Sequence, residues 1–518
     1  MPVSVHAAAL LGVDALPVTV EVDLLRRLPQ VVIVGLASAS VRESADRVRS
    51  AMLSAGFEFP RQRVVVSLAP ADLRKEGTGF DLPIAVAVLA AAGRVDAEKA
   101  SRYLLVGELS LSGELRPVRG ALAFATLARD LGLEGLVVPS ACAPEAALVR
   151  GIRVYAAPDL AAVAAFLDGA GELSQGVPVA ASGLSPSPDL GDVRGQYLAR
   201  RAVEVAAAGG HNLLFEGSPG CGKTMLACRL PSILPTLSVE EALECTRIQS
   251  VAGLHAPDAG CVRERPFRAP HASVSVAGLV GGASLRPGEV SLAHNGVLFL
   301  DEFPEFPRNV REVLRGPLED RRVVLARAAG QVVLPARFML VAAANPCPCG
   351  FWGHPTRPCI CPVDTRERYR ARLSGPLVDR IDLRVELSPV TPAELLGQVQ
   401  GESSATVRER VEAARARQSS RYGGKVSCNA ELRSEDVIEA TQMSSAVVSL
   451  LRDHMERTAC SARVARRLLK VARTIADLDA RAHVEPEHLY EAFALRCELE
   501  DAGARLSDRS APACAVRS

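Results

Sequence analysis

The stretch Gly217-Ser218-Pro219-Gly220-Cys221-Gly222-Lys223-Thr224 fits the pattern G-x-x-x-x-G-K-[ST] in full. The apolar run Asn212–Phe215 before it reads as a strand, and Thr224–Leu230 after it reads as a helix. Strand, glycine-rich loop and helix in that order form a phosphate cradle. The glycines let successive backbone N–H groups wrap a polyphosphate, and the helix N-terminus adds favourable partial charge. Lys223 is expected to neutralise the β- and γ-phosphates of ATP, and the Thr224 hydroxyl to ligate Mg2+.

Working outward, Val297-Leu-Phe-Leu-Asp-Glu-Phe303 is an apolar strand that ends in two acids. Asp301 is expected to hold the Mg2+ through water, and Glu302 to act as general base on the attacking water. A plain buried strand does not explain two adjacent carboxylates after four apolar residues. Phe338–Asn345 reads as a third buried strand ending in a polar residue; resemblance to AAA+ ATPases implies that Asn345 contacts the γ-phosphate and the lytic water. In Ser374-Gly-Pro-Leu-Val-Asp-Arg-Ile-Asp382, Arg380 is either half of a structural ion pair or an arginine finger that reaches a neighbour's ATP. The finger is favoured, because arginines supplied in trans recur in this chemistry. Ser461-Ala-Arg463 opens a basic helix, Val464–Asp477; Arg463 is the candidate second sensor, and Arg466, Arg467 and Lys470 read as a solvated face.

Bulk properties set the frame. The chain has 518 residues, too many for one hydrophobic core, so about three domains are expected. Lys+Arg total 60 against 59 Asp+Glu, so bulk charge neither signals nor excludes a nucleic-acid partner. No secretory signal and no run of about 18 uninterrupted apolar residues is present. The scatter of most of the 13 cysteines suits a reducing, cytoplasmic setting.

Residues 1–168 alternate strand-like runs (Gln30–Gly35, Arg63–Leu68, Tyr103–Val106, Leu136–Pro139) with Ala-rich helical runs, a mixed α/β pattern. Residues 169–189 are rich in Gly, Ser and Pro and read as a linker, or else as an ordered loop on a domain surface. The nucleotide motifs occupy 190–390. Residues 391–500 read as helical, with helix starts at Thr391-Pro-Ala-Glu394 and Thr406-Val-Arg-Glu409, and 501–518 read as a frayed tail.

Several longer strings carry a family resemblance: Asp192-Val-Arg-Gly-Gln196, Arg265-Pro-Phe-Arg-Ala-Pro-His271, Pro287–Glu302, Asn345-Pro-Cys-Pro-Cys-Gly350 and Val471-Ala-Arg-Thr-Ile-Ala-Asp-Leu478. Across about Val5 to Glu500 the chain resembles the ComM/YifB group of magnesium-chelatase-like AAA+ ATPases. It departs from the usual group pattern at Ala272, where a second histidine is common, and at Ala344, where methionine is common. The resemblance implies an α/β AAA+ core of parallel sheet and helices with a C-terminal helical lid. It also implies a cytoplasmic homo-hexamer that binds single-stranded or branched DNA and drives branch migration of recombination intermediates during natural transformation. ATP would sit between subunits, with Lys223, Thr224, Asp301, Glu302, Asn345 and Arg463 from one and Arg380 from the next. A helix-2 insertion near Phe267–Glu289 and a hairpin, Arg321–Pro335, would face the pore. The hairpin also reads as one from its own residues, with Arg327 at its tip as candidate DNA contact.

Ser67–Asp81 and Gly107–Val118 resemble the Lon protease domain, whose chemistry needs a serine and a lysine. The alignment puts Gly79 at the serine position and Leu122–Phe124 at the lysine position, which implies a non-proteolytic Lon-like domain. Arg61, Arg63, Arg74 and Lys75 read either as a DNA contact or as a solvated basic face. Finally, Cys347, Cys349, Cys359 and Cys361 bracket a short loop and suggest a tetrahedral Zn2+ site. His354 is a substitute ligand, and Trp352 is a loop anchor or a base-stacking platform. The ATP motifs alone leave open a magnesium-chelatase ATPase subunit or a protein-remodelling chaperone.

Overall fold

In the run Arg63–Ala69, Val64, Val66 and Leu68 point inward while their neighbours are half-exposed, the period-2 alternation of a sheet with one covered face. The computed structural model describes residues 2–179, 188–256, 258–283, 285–327, 330–373, 377–391, 401–458 and 460–496. Ten strands fall in the first region: β1 (Val3–Leu11), β2 (Asp14–Leu25), β3 (Gln30–Val34), β4 (Arg63–Ala69), β5 (Tyr103–Leu105), β6 (Glu108–Leu109), β7 (Leu115–Arg116), β8 (Gly135–Pro139), β9 (Arg153–Ala157) and β10 (Ser174–Gln175). Eight of them form one mixed sheet in the order β10-β9-β8-β5-β1-β2-β4-β3. The helix Asp81–Ala91 packs on it and is buried over almost its whole surface.

The central pair β1 and β2 was not expected from the sequence. Val3–Leu11 carries three consecutive alanines, which disfavour strands, and its nine-residue antiparallel register with β2 overrides that preference. Likewise, β10 adds an edge strand inside the expected linker, so the chain stays in the first sheet beyond residue 168. Residues 180–187 of that segment lie outside the described residues.

The second sheet is fully parallel, in the order β12-β13-β16-β11-β17: β11 (Leu213–Gly217), β12 (Phe267–Arg268), β13 (Val297–Leu300), β16 (Met339–Ala344) and β17 (Leu383–Leu387). Between β13 and β16 stands the antiparallel hairpin of β14 (Arg322–Arg327) and β15 (Gly330–Pro335). Helices including Ser404–Tyr422, Ala462–Leu478 and Pro486–Ala494 follow. Val407, Val411, Leu468 and Ile475 of these helices share one apolar core with Phe215 and Val385 of the sheet, so these helices are packed onto the parallel sheet.

The expected helix start at Thr406 lies inside a longer helix: Ser403 is the cap, its hydroxyl accepting from the Thr406 N–H at 3.3 Å. Residues 392–394 of the start expected at Thr391, and the tail 501–518, lie outside the described residues.

The two sheets also touch. Val13, in the β1–β2 turn, is buried with Val323, Leu325, Val332 and Leu334 of the hairpin. At Gly12 (φ 66°) a Cβ would come within 2.2 Å of Val332, so a side chain there is excluded by contact as well as by backbone. Among the described residues, no helix is long and apolar enough to cross a membrane.

Candidate nucleotide site

At the carboxyl end of β11 the chain turns through Gly217–Gly222 into the helix Lys223–Ile233. Gly220 (φ 81°) and Gly222 (φ 99°) adopt left-handed backbone, which a side chain disfavours although the space around each is open. Lys223 is buried in the loop, where Nζ donates to Gly217 O at 2.6 Å, to Ser218 O at 3.0 Å and to Asn345 Oδ1 at 3.1 Å. Burial pushes its pKa below the usual lysine value. Cys221 is also buried, and its thiol pKa is raised by that burial.

The Thr224 hydroxyl donates to Asp301 Oδ2 at 2.8 Å, and the Glu302 N–H donates to Asp301 Oδ1 at 2.9 Å. A hydroxyl and a carboxylate in contact below a phosphate cradle are the all-oxygen donor set that suits Mg2+. Glu302 has φ 51°, a left-handed conformation unusual for a glutamate and of the kind held at functional sites. Thus Lys223, Thr224, Asp301, Glu302 and Asn345 converge where β11, β13 and β16 end.

Arg380 lies elsewhere. Strands β11 and β17 are parallel with Leu213 opposite Leu383 and Gly217 opposite Leu387. Arg380 precedes β17, so it sits at the amino-end rim, at least about 13 Å along the strands from the phosphate loop. Its Nη2 is 2.6 Å from Glu319 Oε1. Arg463, on the helix capped by Ser461, bonds the same Glu319 oxygen. This corrects the expected grouping: Arg463 lies with Arg380, not with Lys223. The reason is that the helix Ala462–Leu478 packs across the amino ends of the strands. There Arg467 pairs with Asp382, and His211 Nε2 and Thr474 Oγ1 lie 2.8 Å apart.

Arg467 and Lys470 are not a solvated face either, since Lys470 donates to Ala430 O at 3.0 Å; Arg466 is exposed as expected. Asp382 is buried, but Arg467 and His211 overcome that burial and hold its carboxyl well below the usual range.

The four cysteines converge. Cys347 Sγ lies 3.3 Å from Cys349 Sγ and 3.6 Å from Cys359 Sγ, Cys349 and Cys359 are 3.6 Å apart, and all four sulfurs lie within 4.8 Å of one another. A tetrahedron with Zn–S of 2.3 Å has edges of about 3.8 Å, so the set fits Zn2+. N–H groups point at the sulfurs, Trp352 N to Cys347 and Cys349 N to Cys361, each at 3.3 Å. His354 is not in the group. The Arg370 and Arg366 guanidinium groups lie 4.8 and 5.8 Å from the Trp352 ring centroid. The loop also abuts the phosphate cradle, because a Cβ on Gly350 would come within 2.5 Å of Pro219.

The hairpin forms with Arg327 opposite Gly330, while its turn at 328–329 and the Arg327 side chain lie outside the described residues. Lys75 is buried and donates to Pro70 O, so it is no surface contact; Arg74 pairs with Glu76 at 2.9 Å. Sequence reasoning missed Gln196, whose Nε2 donates to Cys221 O at 3.1 Å and to Ser388 O at 2.6 Å, clamping the phosphate loop. It also missed Glu319. Gln196 ends a string quoted only for family resemblance, and Glu319 lies in no string singled out, so neither contact had a local signal.

Sheet, cradle and acid pair define a P-loop ATPase fold of the AAA+ class. Family models agree: magnesium chelatase, subunit ChlI, matches residues 189–395; subunit ChlI of Mg-chelatase matches 20–142; and the ChlI C-terminal model matches 401–496. The chain is 45% identical to the uncharacterised protein YifB of Escherichia coli (strain K12), over 95% of this chain and 96% of that protein. It is 44% identical to the uncharacterised protein Rv2897c of Mycobacterium tuberculosis (strain ATCC 25618 / H37Rv), over 95% and 97%. It is 43% identical to the competence protein ComM of Haemophilus influenzae, again over 95% and 97%. The chain belongs to the ComM/YifB group of magnesium-chelatase-like AAA+ ATPases.

Proposed function

We propose that this chain is an ATP-hydrolysing DNA motor that works as a ring, a hexamer by family resemblance, and promotes branch migration of recombination intermediates. The observation that carries the ring is the separation of Arg380 from the phosphate loop by the length of the sheet. An arginine at that rim serves the ATP of a neighbouring subunit. The relationship to the competence protein ComM supports the DNA role.

In this reading Lys223 and the loop N–H groups bind the β- and γ-phosphates. Thr224 and Asp301 hold Mg2+, which when bound offsets phosphate charge. Asn345 and Glu302 orient a water. As its oxygen bonds to the γ-phosphorus and the bond to ADP breaks, its proton passes to Glu302. Cys347, Cys349, Cys359 and Cys361 hold a structural Zn2+ that braces the loop after Asn345. Arg327 meets the DNA backbone in the pore.

The test is ATPase rate with and without single-stranded and branched DNA, beside a four-way-junction unwinding assay. Stimulation with junction migration supports the motor. Basal ATPase without either, but with stimulation by a porphyrin, supports instead the metal-insertion role that the family models' description suggests. For zinc, protein made without added metal is expected to carry one ion per chain, lost in Cys359→Ser; active, zinc-free wild type overturns that site.

A further inference from the structure

Two arginines singled out for separate roles share one carboxylate oxygen, Glu319 Oε1. Glu319 lies in the helix Arg315–Asp320, and after Arg321 (φ 55°) that helix runs straight into the hairpin strand β14. The hairpin base is tied a second time, by Arg321 Nη1 to Glu431 Oε1 at 2.6 Å. Arg321, which makes this second tie, adopts left-handed backbone and stands two residues after Glu319, so the joint between helix and hairpin is short.

A guanidinium bound to a carboxylate is already engaged as a donor, and a phosphate must displace that carboxylate to recruit it. One carboxylate shared by two guanidinium groups is a weaker hold than one for each, so the pair is displaceable. We propose that Glu319 is a positioning residue: it is the resting counter-ion of Arg380 and Arg463 and the mechanical link between them and the hairpin. With the hairpin at rest, Glu319 keeps both arginines off the neighbour's ATP. When a ligand shifts the hairpin, the helix carries Glu319 away and the arginines are released towards the phosphate. The inference rests on the proposed reading of an ATP site shared between subunits.

The test is steady-state ATPase of assembled full-length Glu319→Gln and Glu319→Asp, each with and without single-stranded DNA. Glu319→Gln keeps the shape and removes the charge. It is expected to raise turnover without DNA about 3- to 10-fold, the scale of one partly solvated charge-assisted hydrogen bond, and to bring the DNA stimulation ratio towards one. Glu319→Asp, which keeps the charge, is expected to return most of the low resting rate. A fall in turnover with and without DNA in Glu319→Gln, or an unchanged resting rate, overturns the proposal. If wild type is not stimulated by DNA but Glu319→Gln still raises turnover, the DNA reading fails and the link stands. If wild type has no ATPase at all and Lys223→Ala matches it, the shared ATP site fails and the proposal is overturned with it.

Discussion

The two rims of the parallel sheet differ in kind. At the carboxyl ends of the strands, Lys223, Thr224, Asp301, Glu302 and Asn345 stand within hydrogen-bonding reach of one another or are adjacent in the chain. At the amino ends, Arg380 and Arg463 meet at Glu319, and Arg467 meets Asp382, with no phosphate cradle beside them. One rim holds the groups proposed to bind nucleotide and activate water; the other, among the described residues, holds cations paired with carboxylates. In the proposed ring the two rims are half-sites facing opposite ways, and the chemistry would be complete only where one chain's amino-end rim meets the next chain's carboxyl-end rim.

The sharpest way to break this comparison is Arg380→Ala. Turnover is expected to fall about 10³-fold, the usual scale for an arginine finger, with nucleotide binding kept. Mixed with Glu302→Gln subunits, part of the activity is expected to return, because some junctions then pair an intact acid with an intact arginine. Absence of recovery in the mixing titration places Arg380 in its own chain's site.

Glu302→Gln alone tests the other rim. Turnover is expected to fall about 10²-fold or more, with assembly and ATP binding intact by filtration and gel permeation. Normal turnover removes Glu302 as base.

A smaller effect tests the join between the cysteine loop and the cradle. Gly350→Ala puts a Cβ against Pro219 at a left-handed position (φ 82°), so the loop must shift. The apparent KM for ATP is expected to rise several-fold while zinc content stays unchanged; an unaltered KM separates the two loops.

The smallest effect is in stability. Glu216, on β11 and paired in register with Glu386 on β17, has its pKa raised by burial and by Glu386, against the pull of Arg384, from 4.5 to about 7. The folded chain therefore keeps a proton that the unfolded chain releases. That contribution is fully present below about 4.5 and is lost as pH rises through about 7. Glu216→Gln is expected to raise Tm above that range and to leave it unchanged well below; equal shifts at both ends rule out the titration.

How much was legible follows from the range of the signal. The phosphate loop, the acid pair and Asn345 were readable because each is a local string whose neighbours in sequence make its strand or helix. The hairpin was readable because Val323, Leu325, Val332 and Leu334 alternate inward across a short turn. The β1–β2 pair was not, since its alanines disfavour a strand and only the long cross-strand register overrides them. Ser403 displaced Thr406 as a cap because both types can cap and the helix extended to the earlier one.

From residue order alone came the ATPase class, the identity of the cradle and acids, and the four cysteines as a cluster. These depend on side-chain type and spacing over a few residues. The grouping of Arg463 with Arg380, the carboxylate they share, the clamp from Gln196 and the contact of Gly350 with Pro219 came from packing. Each joins residues tens to hundreds of positions apart, and no local preference encodes which guanidinium will meet which carboxylate once the helices close over the sheet.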